Sequence, residues 1–283
     1  MKIGWIGAGK VGVSLGKYLA EQGVSVTGYY SKNPESAKEA AEFTGTSCYE
    51  RIEDLVRDSE VIFLTVPDDA IEEVWGQLKQ LQIKDKCFCH CSGALSSEVF
   101  SDRTGHFAYG YSIHPLLAVN DKFHSYSELS NALFTIEGDG AYKEHLQKLF
   151  EKAGNTVLPI RAEDKIRYHA AAVMASNLVL GLAEAATEEL EGCGFTREMA
   201  QNALVPFLQA NVAHLGDRKI EDCLTGPVER GDTSTVAKHL AHLSGEHRVI
   251  YHTLSKKVLS IAKRKNSGRN YQGLEELLEG ENE

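Results

Sequence analysis

The sequence predicts an α/β fold in which a doubly wound parallel sheet is followed by an all-helical domain. Two observations support this prediction. Up to about residue 160, short apolar runs alternate with stretches of helical periodicity, which is typical of a parallel sheet. Beyond that point the strand-like runs stop, and long segments rich in Ala, Leu, Val and Glu follow. We therefore expect one domain over residues 1–160 and a helical domain over residues 161–283.

The apolar runs place the expected strands at residues 2–6, 24–30, 61–66, 87–90, 109–113, 132–136 and 156–160. The segments between them predict helices at 11–22, 34–44, 71–81 and 141–153. In the second domain, helices are expected over 162–190, 197–215 and 233–263, with a kink or break at Pro206. From Lys263 onward the sequence is charged and contains glycine, so we expect a solvated tail.

The composition is that of a globular protein, with 42% hydrophobic and 25% charged residues among 283. A formal net charge of -10 argues against nucleic acid as a partner, because phosphate binding needs a basic face. We find no signal peptide and no run of about 18 apolar residues, so we expect no membrane span. The six cysteines are expected to be reduced thiols, and the protein to be cytoplasmic.

The turn after the first strand carries the pattern G-x-G-x-x-G, in the segment Gly7-Ala8-Gly9-Lys10-Val11-Gly12. A strand before this pattern and an amphipathic helix after it are the context in which it binds dinucleotides. Gly7 would allow the tight turn, Gly9 would let the backbone approach a pyrophosphate, and Gly12 would let helix and strand pack closely. The pyrophosphate would accept hydrogen bonds from free N–H groups at the helix N-terminus. The sequence therefore predicts a Rossmann domain.

The end of the second strand indicates which dinucleotide binds. An NAD-binding domain places Asp or Glu there to hold the ribose 2′-hydroxyl, but this strand ends in Ser31 and Lys32. We interpret both residues as contacts to a 2′-phosphate and expect NADP(H), although an ordinary polar loop would look the same. At the ends of later strands, Thr65, Val66 and Pro67 are expected to line the cofactor, and Ser92 to offer it a hydroxyl.

A metal site is not expected at Cys87-x-Cys89-x-Cys91, although His90 lies within it. Along a strand, side chains alternate, so the three cysteines share one face and His90 takes the other. Zinc sites use a different spacing on turns and need a second pair of ligands. Buried strand thiols are the better interpretation.

Three further segments resemble a known family, in which a Rossmann-like domain is followed by a DUF2520 domain. They are 111–116 (YSIHPL), 165–172 (KIRYHAAA) running on to Ser176 and Asn177, and 226–240 (GPVERGDTSTVAKHL). That family is similar to a broader group containing pyrroline-5-carboxylate reductase, 6-phosphogluconate and β-hydroxyacid dehydrogenases, and ketopantoate reductase. The resemblance covers nearly the whole chain except the tail.

The resemblance implies an NADP-type Rossmann domain and a helical domain like the C-terminal one of 6-phosphogluconate dehydrogenase. It also implies a homodimer built by the helical domain and a cleft between the two domains that takes a small-molecule substrate. The apolar stretch 170–190 would serve such a dimer, or equally the core of a monomer. Some family members are regarded as an alternative ketopantoate reductase of pantothenate biosynthesis, which makes ketopantoate the leading substrate.

Reduction of a carbonyl needs a proton donor, and Lys165 and His169 are the candidates. They are four residues apart on one predicted helix, so they share a face, with Asn177 near it. β-Hydroxyacid dehydrogenases and ketopantoate reductases open this helix with a lysine followed by asparagines, a pattern matched here only in part. Either residue can be the acid. We favour His169, because the ordinary pKa of histidine lies close to neutral.

Other candidates lie at a strand end and in the helical domain. His114 precedes Pro115 at a strand end and points into the cleft or serves as a structural histidine. In the second domain, Arg230 and the helix beginning near Asp232 could bind a substrate carboxylate, with Thr235 and His239 one turn apart. An ion pair between Arg230 and Asp232 that holds the loop is an equal alternative.

Three functions fit these observations. The first is an NADPH-dependent reductase of a small 2-oxo acid, with ketopantoate first. The second is an imine reductase of the pyrroline-5-carboxylate type, which needs a weaker acid because an iminium is already electrophilic. The third is a non-catalytic NADP-binding sensor, because a fold alone does not establish a reaction.

Overall fold

A twisted sheet of eight strands organises the first part of the chain. The computed structural model describes residues 1–280. The strands are β1 Lys2–Ile6, β2 Ser25–Tyr30, β3 Ser47–Cys48, β4 Val61–Leu64, β5 Cys87–His90, β6 Tyr109–Pro115, β7 Leu133–Glu137 and β8 Thr156–Pro159. The order across the sheet is β3-β2-β1-β4-β5-β6-β7-β8. From β1 the chain first adds strands on one side, β2 and β3, and then crosses to add β4 on the other side. In such sheets ligands bind at the carboxyl ends of the two strands where this change occurs, here β1 and β4.

Helices make up most of the remaining chain. In the first part they are α1 Lys10–Glu21, α2 Pro34–Thr44, α3 Ile52–Asp58, α4 Asp68–Leu78, α5 Lys143–Lys152 and α6 Lys165–Ala175. The later ones are α7 Asn177–Gly192, α8 Arg197–Ala213, α9 Ile220–Cys223, α10 Pro227–Arg230, α11 Thr233–His242, α12 Gly245–Lys265 and α13 Gln272–Glu279. The predicted fold class, a doubly wound sheet followed by helices, is confirmed.

The sequence missed a short strand, a short helix and the direction of one strand. β3 and α3 are too short to show periodicity. β7 runs antiparallel to β6, whereas the remaining neighbouring pairs are parallel. A short apolar run does not reveal its direction, so this reversal lies outside what the pattern can show.

The sheet is buried on both faces, and alternation along each strand divides its side chains between two apolar clusters. In β4, Val61 and Phe63 join one cluster, and Ile62 and Leu64 join the other. β5 follows the same rule, since Cys87 and Cys89 lie with the first cluster and Phe88 with the second. A parallel sheet covered by helices on both sides requires strands of this continuous apolar type.

The chain divides into two compact units after Ser176 rather than near residue 160. The helical stretch expected over 162–190 breaks at Ser176, whose backbone has φ -125° and ψ -85°. The first half, α6, belongs to the unit of the sheet because Lys165 is buried there. The second unit begins at Asn177 with α7.

The second unit has its own apolar core, formed by the C-terminal helices α10 to α13. Val236, Leu240, Tyr271, Leu274 and Leu278 are among its buried residues. The expected solvated tail is therefore wrong: α12 continues to Lys265, and α13 seals the core with leucines at one face. Because charged residues are frequent in this stretch, the helical spacing of its buried leucines, Leu274 and Leu278, was overlooked. Residues 281–283 of the expected tail lie outside the described residues.

By length and composition alone, the segment 162–192 could cross a membrane. The expectation of no such segment rested on consecutive apolar residues, and the uncharged polar residues His169, Ser176 and Asn177 interrupt that run. Length and composition do not separate a membrane span from a helix that packs against another protein surface. α8 runs through Pro206 without ending, although a break there was one expectation.

Candidate active site

The glycine-rich turn between β1 and α1 has the shape that a pyrophosphate requires. Gly7 has φ +101°, and a Cβ there would lie 2.6 Å from the Thr65 carbonyl oxygen. A Cβ on Gly12 would lie 2.3 Å from Thr65 Oγ1, so helix and strand meet without room for a side chain. A Cβ on Gly9 would meet only the Thr65 carbonyl oxygen, at 3.9 Å, so this position faces open space.

The N-terminus of α1 is available to an anion. Gly9 is its N-cap, and no side chain within residues 1–280 caps the helix. The first-turn N–H groups are therefore left for a ligand. Lys10 is exposed at this end, Ala8 is buried beneath it, and Val11 is half-buried. The turn thus fits the dinucleotide that its pattern predicts.

Thr65 connects the turn to the neighbouring strand. Its hydroxyl donates to the Gly7 carbonyl at 2.9 Å, and its N–H donates to the Ile6 carbonyl at 2.8 Å. Thr65 therefore shapes the turn, and Val66 and Pro67 follow it at the carboxyl end of β4, half-buried and exposed respectively. All three lie on the sheet edge where a cofactor would run.

Ser31 and Lys32 lie at the end of β2, at the position of a ribose 2′-substituent. The Lys32 ammonium lies 3.2 Å from the Glu73 carboxylate of α4, and both side chains are exposed. Ser31 Oγ accepts a hydrogen bond from the Asn33 N–H at 3.3 Å. An exposed pair of this kind is weak, so Lys32 can exchange Glu73 for a phosphate.

Farther along the same edge, β5, β6 and α6 bring three histidines together. His90 ends β5, His114 lies near the end of β6, and His169 lies on α6. The rings of His114 and His169 are perpendicular, with centroids 6.4 Å apart. A Cβ on Gly93 would lie 2.5 Å from His169 Nδ1 and 3.0 Å from His114 Nε2. Both nitrogens therefore face the same glycine, and only a glycine fits there.

His169 has a buried ring nitrogen without a hydrogen bond. Among the residues described, its Nδ1 has no partner, although the ring as a whole is half-buried. Unpaired buried polar atoms are rare in proteins, and each calls for an explanation. His114, by contrast, is paired at Nδ1, which lies 2.7 Å from the Tyr168 hydroxyl.

Lys165 lies beneath the cluster and is almost fully buried, with 1% of its surface exposed. Its ammonium donates to the Ser92 carbonyl at 2.8 Å and to Ser112 Oγ at 2.5 Å. Burial lowers the pKa of Lys165 to about 8. The neighbouring Glu137, Cys91 and Asp68 act in the opposite direction and raise it. The ammonium is thus directed at the protein's own backbone and not at open space.

The loop that follows β5 is fixed at both ends. Ser92 Oγ donates to Asp68 at 2.6 Å and accepts from the N–H groups of Ala94 and Leu95. At the other end, the buried Glu137 accepts from the Ser97 N–H at 2.6 Å and the Ser97 hydroxyl at 2.9 Å. The hydroxyl of Ser92, expected to contact the cofactor, is therefore used within the loop.

Burial keeps two of the histidines neutral near pH 7. It lowers the pKa of His90 to about 4. The hydrogen bond to the Ser96 carbonyl raises this pKa, and the nearby charge of Lys165 lowers it further. The pKa of His114 also falls to about 4, through burial first and then through Lys165, His169 and His90. Neither ring carries a charge at neutral pH, so neither can serve as a strong acid there.

The remaining candidates belong to the second unit. Asn177 begins α7. Asp232 caps α11 with its own carboxylate, which accepts from the N–H and the hydroxyl of Thr235 at 3.0 and 2.7 Å. Arg230 is exposed and lies 4.0 Å from Asp232. His239 Nδ1 is paired with the Tyr251 hydroxyl at 2.7 Å.

Sequence reasoning missed Tyr168, Asp68 and Glu137. Tyr168 was within a recognised segment, and its position beside His169 was the available signal. Glu137 ends an apolar run, and a carboxylate in such a place signals a buried polar partner. The sequence does not show which residue Glu137 contacts, because it does not show that β7 runs antiparallel to β6. That register places Glu137 opposite Ser112 and Thr135 opposite His114.

Two family models match the chain. Residues 2–89 match a family described as NADP oxidoreductase, coenzyme F420-dependent, and residues 132–258 match DUF2520, a domain of unknown function. The chain is an NADP oxidoreductase with a DUF2520 domain. The first match covers the nucleotide-binding part of this oxidoreductase, in agreement with the glycine-rich turn. No curated protein matches the chain.

Several solved structures share the fold of this oxidoreductase. Protein TM1727 from Thermotoga maritima is 25% identical over 93% of this chain and 99% of that one, with a TM-score of 0.75. A Bacteroides fragilis protein, BF3122, described as an NADP oxidoreductase, is 20% identical over 92% and 98%, with a TM-score of 0.73. Pyrroline carboxylate reductase from Plasmodium falciparum, solved with NADP bound, is 16% identical over 94% and 97%, with a TM-score of 0.63.

Replacement of Gly9 by valine should abolish tight NADPH binding without unfolding the protein. The new side chain would point into the open space above the turn, where the backbone must approach the pyrophosphate. We expect the Kd for NADPH, measured by fluorescence titration, to rise at least about 100-fold, because several charge-assisted hydrogen bonds are lost together.

Gly76→Ala is the matched control for this substitution. Gly76 is an exposed residue inside α4, and a Cβ there meets nothing within 4 Å. This variant should bind NADPH normally and unfold at a slightly higher temperature. Equal NADPH affinity in Gly9→Val and Gly76→Ala would contradict the placement of the pyrophosphate.

Proposed function

We propose that this chain reduces a small 2-oxo acid to a 2-hydroxy acid with NADPH, and that ketopantoate is its substrate. One observation carries the proposal: a histidine with an unpaired buried nitrogen lies in a polar cluster at the carboxyl edge of a dinucleotide-binding sheet. Substrates of open α/β sheets bind at this edge. A small 2-oxo acid matches a site that offers one proton donor and neutral polar groups around it.

His169 and Lys165 have different roles in the proposed reduction. NADPH supplies a hydride to the carbonyl carbon when it is bound. His169 gives a proton to the carbonyl oxygen, so that one hydride and one proton produce the alcohol. Lys165 is not the proton donor in this proposal, because its ammonium is buried and bonded to Ser92 and Ser112. It holds the loop that carries Gly93 against the two histidines.

We propose that Arg230, in the second unit, binds a carboxylate. Its guanidinium is exposed, and at 4.0 Å the Asp232 carboxylate is at the limit of an ion pair. A guanidinium held this loosely can bind a carboxylate in a bidentate manner. The N-terminus of α11 is a weaker anchor than expected, because Asp232 already caps it.

A cyclic imine is the second candidate substrate, and the neutral histidines favour it. With pKa values near 4, His90 and His114 donate protons poorly at neutral pH. An iminium already carries its proton, so reduction of C=N needs no strong proton donor, whereas reduction of C=O does. The Plasmodium falciparum enzyme of the same fold is a pyrroline carboxylate reductase.

NADPH oxidation, followed by absorbance, tests the proposed function. Purified protein is given ketopantoate, a panel of other 2-oxo acids, or 1-pyrroline-5-carboxylate, each with NADPH or NADH. Turnover with ketopantoate and NADPH supports the first proposal. Turnover with the imine alone replaces it with the second. NADPH binding without turnover on any of these compounds would contradict both and indicate a sensor.

His169→Gln should lower kcat for the active substrate by about 100- to 10,000-fold, the range lost with a general acid. The Kd for NADPH should stay the same, because His169 is not among the turn residues. His145→Gln is the control, since His145 is an exposed residue of α5 whose Nδ1 lies 3.2 Å from the Ala141 carbonyl oxygen. Similar kcat values in the two variants would exclude His169 as the proton donor.

We further propose that the protein is a homodimer formed through α7 and α8. Each helix has one buried residue, Thr187 in α7 and Ala200 in α8. Large apolar side chains instead lie on the surface, including Leu178, Leu180, Met199, Phe207 and Val212. An apolar surface of this kind on two adjacent helices marks an interaction site. A second copy of the chain offers the same surface in return.

Light scattering coupled to size-exclusion chromatography measures the mass in solution. We expect the mass of a dimer, and we expect Leu180→Lys combined with Phe207→Lys to give a monomer, since two buried charges would oppose association. Lys148→Ala on the exposed side of α5 should leave the mass unchanged. A monomeric wild-type protein at micromolar concentration would refute the dimer.

A further inference from the structure

We propose that Tyr168 is a positioning residue that donates its hydroxyl hydrogen to His114 Nδ1 and thereby fixes the proton of His114 on Nε2. This inference deepens the proposed function and rests on it for its catalytic consequence. The tautomer itself is a property of the free protein. Nothing in the proposed reaction is needed to observe it.

The first step concerns the partners of the phenol. The Tyr168 hydroxyl lies 2.7 Å from His114 Nδ1, a normal hydrogen-bond distance. Burial raises the pKa of Tyr168, so the phenol keeps its hydrogen at neutral pH and must give it to an acceptor. The Thr135 hydroxyl lies beside the phenol and opposes this rise in pKa, but Thr135 Oγ1 has no hydrogen bond of normal geometry within the described residues.

The second step concerns the charge on His114. Its ring faces Lys165 and His169 from α6 and His90 from β5, and with burial these groups lower its pKa to about 4. At neutral pH the imidazole therefore has one hydrogen and one lone pair. If Nδ1 accepts from Tyr168, the hydrogen is on Nε2.

The third step concerns the Nε2 side of the His114 ring, which lies near His169. His114 Nε2 and His169 Nδ1 lie 3.0 and 2.5 Å from the position that a Cβ on Gly93 would take. With its hydrogen on Nε2, His114 presents a donor on the side where His169 Nδ1 lies unpaired.

His90 shows the same principle in the same cluster. Its Nδ1 accepts from the Ser92 N–H at 3.2 Å, and its Nε2 donates to the Ser96 carbonyl at 3.1 Å. A backbone donor on one nitrogen and a backbone acceptor on the other leave His90 a single tautomer. In His114 the Tyr168 hydroxyl takes the place of the backbone donor.

Two-bond ¹H–¹⁵N correlation spectra of histidine-labelled protein distinguish the tautomers, and a His114→Gln sample identifies the His114 signals. In the wild type at pH 7.5 we expect the Nε2–H form. In Tyr168→Phe the donor is gone, and we expect the signals to move toward the Nδ1–H form. Thr135→Val, which removes the competing hydroxyl but not the phenol, should keep the wild-type tautomer.

Kinetics then test the consequence for the reaction. Tyr168→Phe should lower kcat about tenfold, the effect of one lost neutral hydrogen bond, with the Kd for NADPH unchanged. An Nδ1–H wild type, or an unchanged tautomer in Tyr168→Phe, would overturn the proposal. A changed tautomer with full kcat would overturn the positioning role. If no substrate is turned over, the spectra still decide the tautomer, so failure of the proposed function is seen separately.

Discussion

The site depends on one buried ammonium, that of Lys165. A charged group out of water costs several kcal/mol unless its hydrogen bonds are satisfied. Here the Ser92 carbonyl and the Ser112 hydroxyl satisfy two of them, and Glu137 supplies a negative charge nearby. Because the ammonium binds a backbone carbonyl, it fixes the path of the chain after β5. That path places Gly93 against His114 and His169.

The loop after β5 transmits this constraint to the histidines. Asp68 holds Ser92 from the adjoining strand-to-helix turn, and Glu137 holds Ser97 from β7. Between these points Gly93 packs against the nitrogens of His114 and His169 at a distance that admits no side chain. The charge of Lys165 also helps to keep His114 neutral. One buried cation thus fixes the loop against the histidines and adds to the burial that keeps His90 and His114 neutral.

Local pattern was enough to predict the dinucleotide turn. Gly7 and Gly12 are each required by a close contact with Thr65, and Gly9 leaves open space beside the backbone. The positions of His114, Lys165 and His169 were also identified from their segments. The direction of the Lys165 side chain was not, because it depends on Ser92 and Ser112, which lie far away in the sequence. Likewise, the antiparallel β7, which brings Glu137 to the site, leaves no trace in an apolar run of five residues.

Hydrogen exchange of the Lys165→Met variant tests this account most directly. Methionine keeps an unbranched side chain, one atom shorter, but removes the charge and both hydrogen bonds. We predict that the amides of Ala94 and Leu95 exchange at least about 100-fold faster than in the wild type, because their protection depends on the Ser92 hydroxyl that the loop holds in place. The amides of β1 and α1 should stay protected, which shows that the sheet is still folded. Unchanged exchange at residues 94 and 95 would contradict the central role of Lys165.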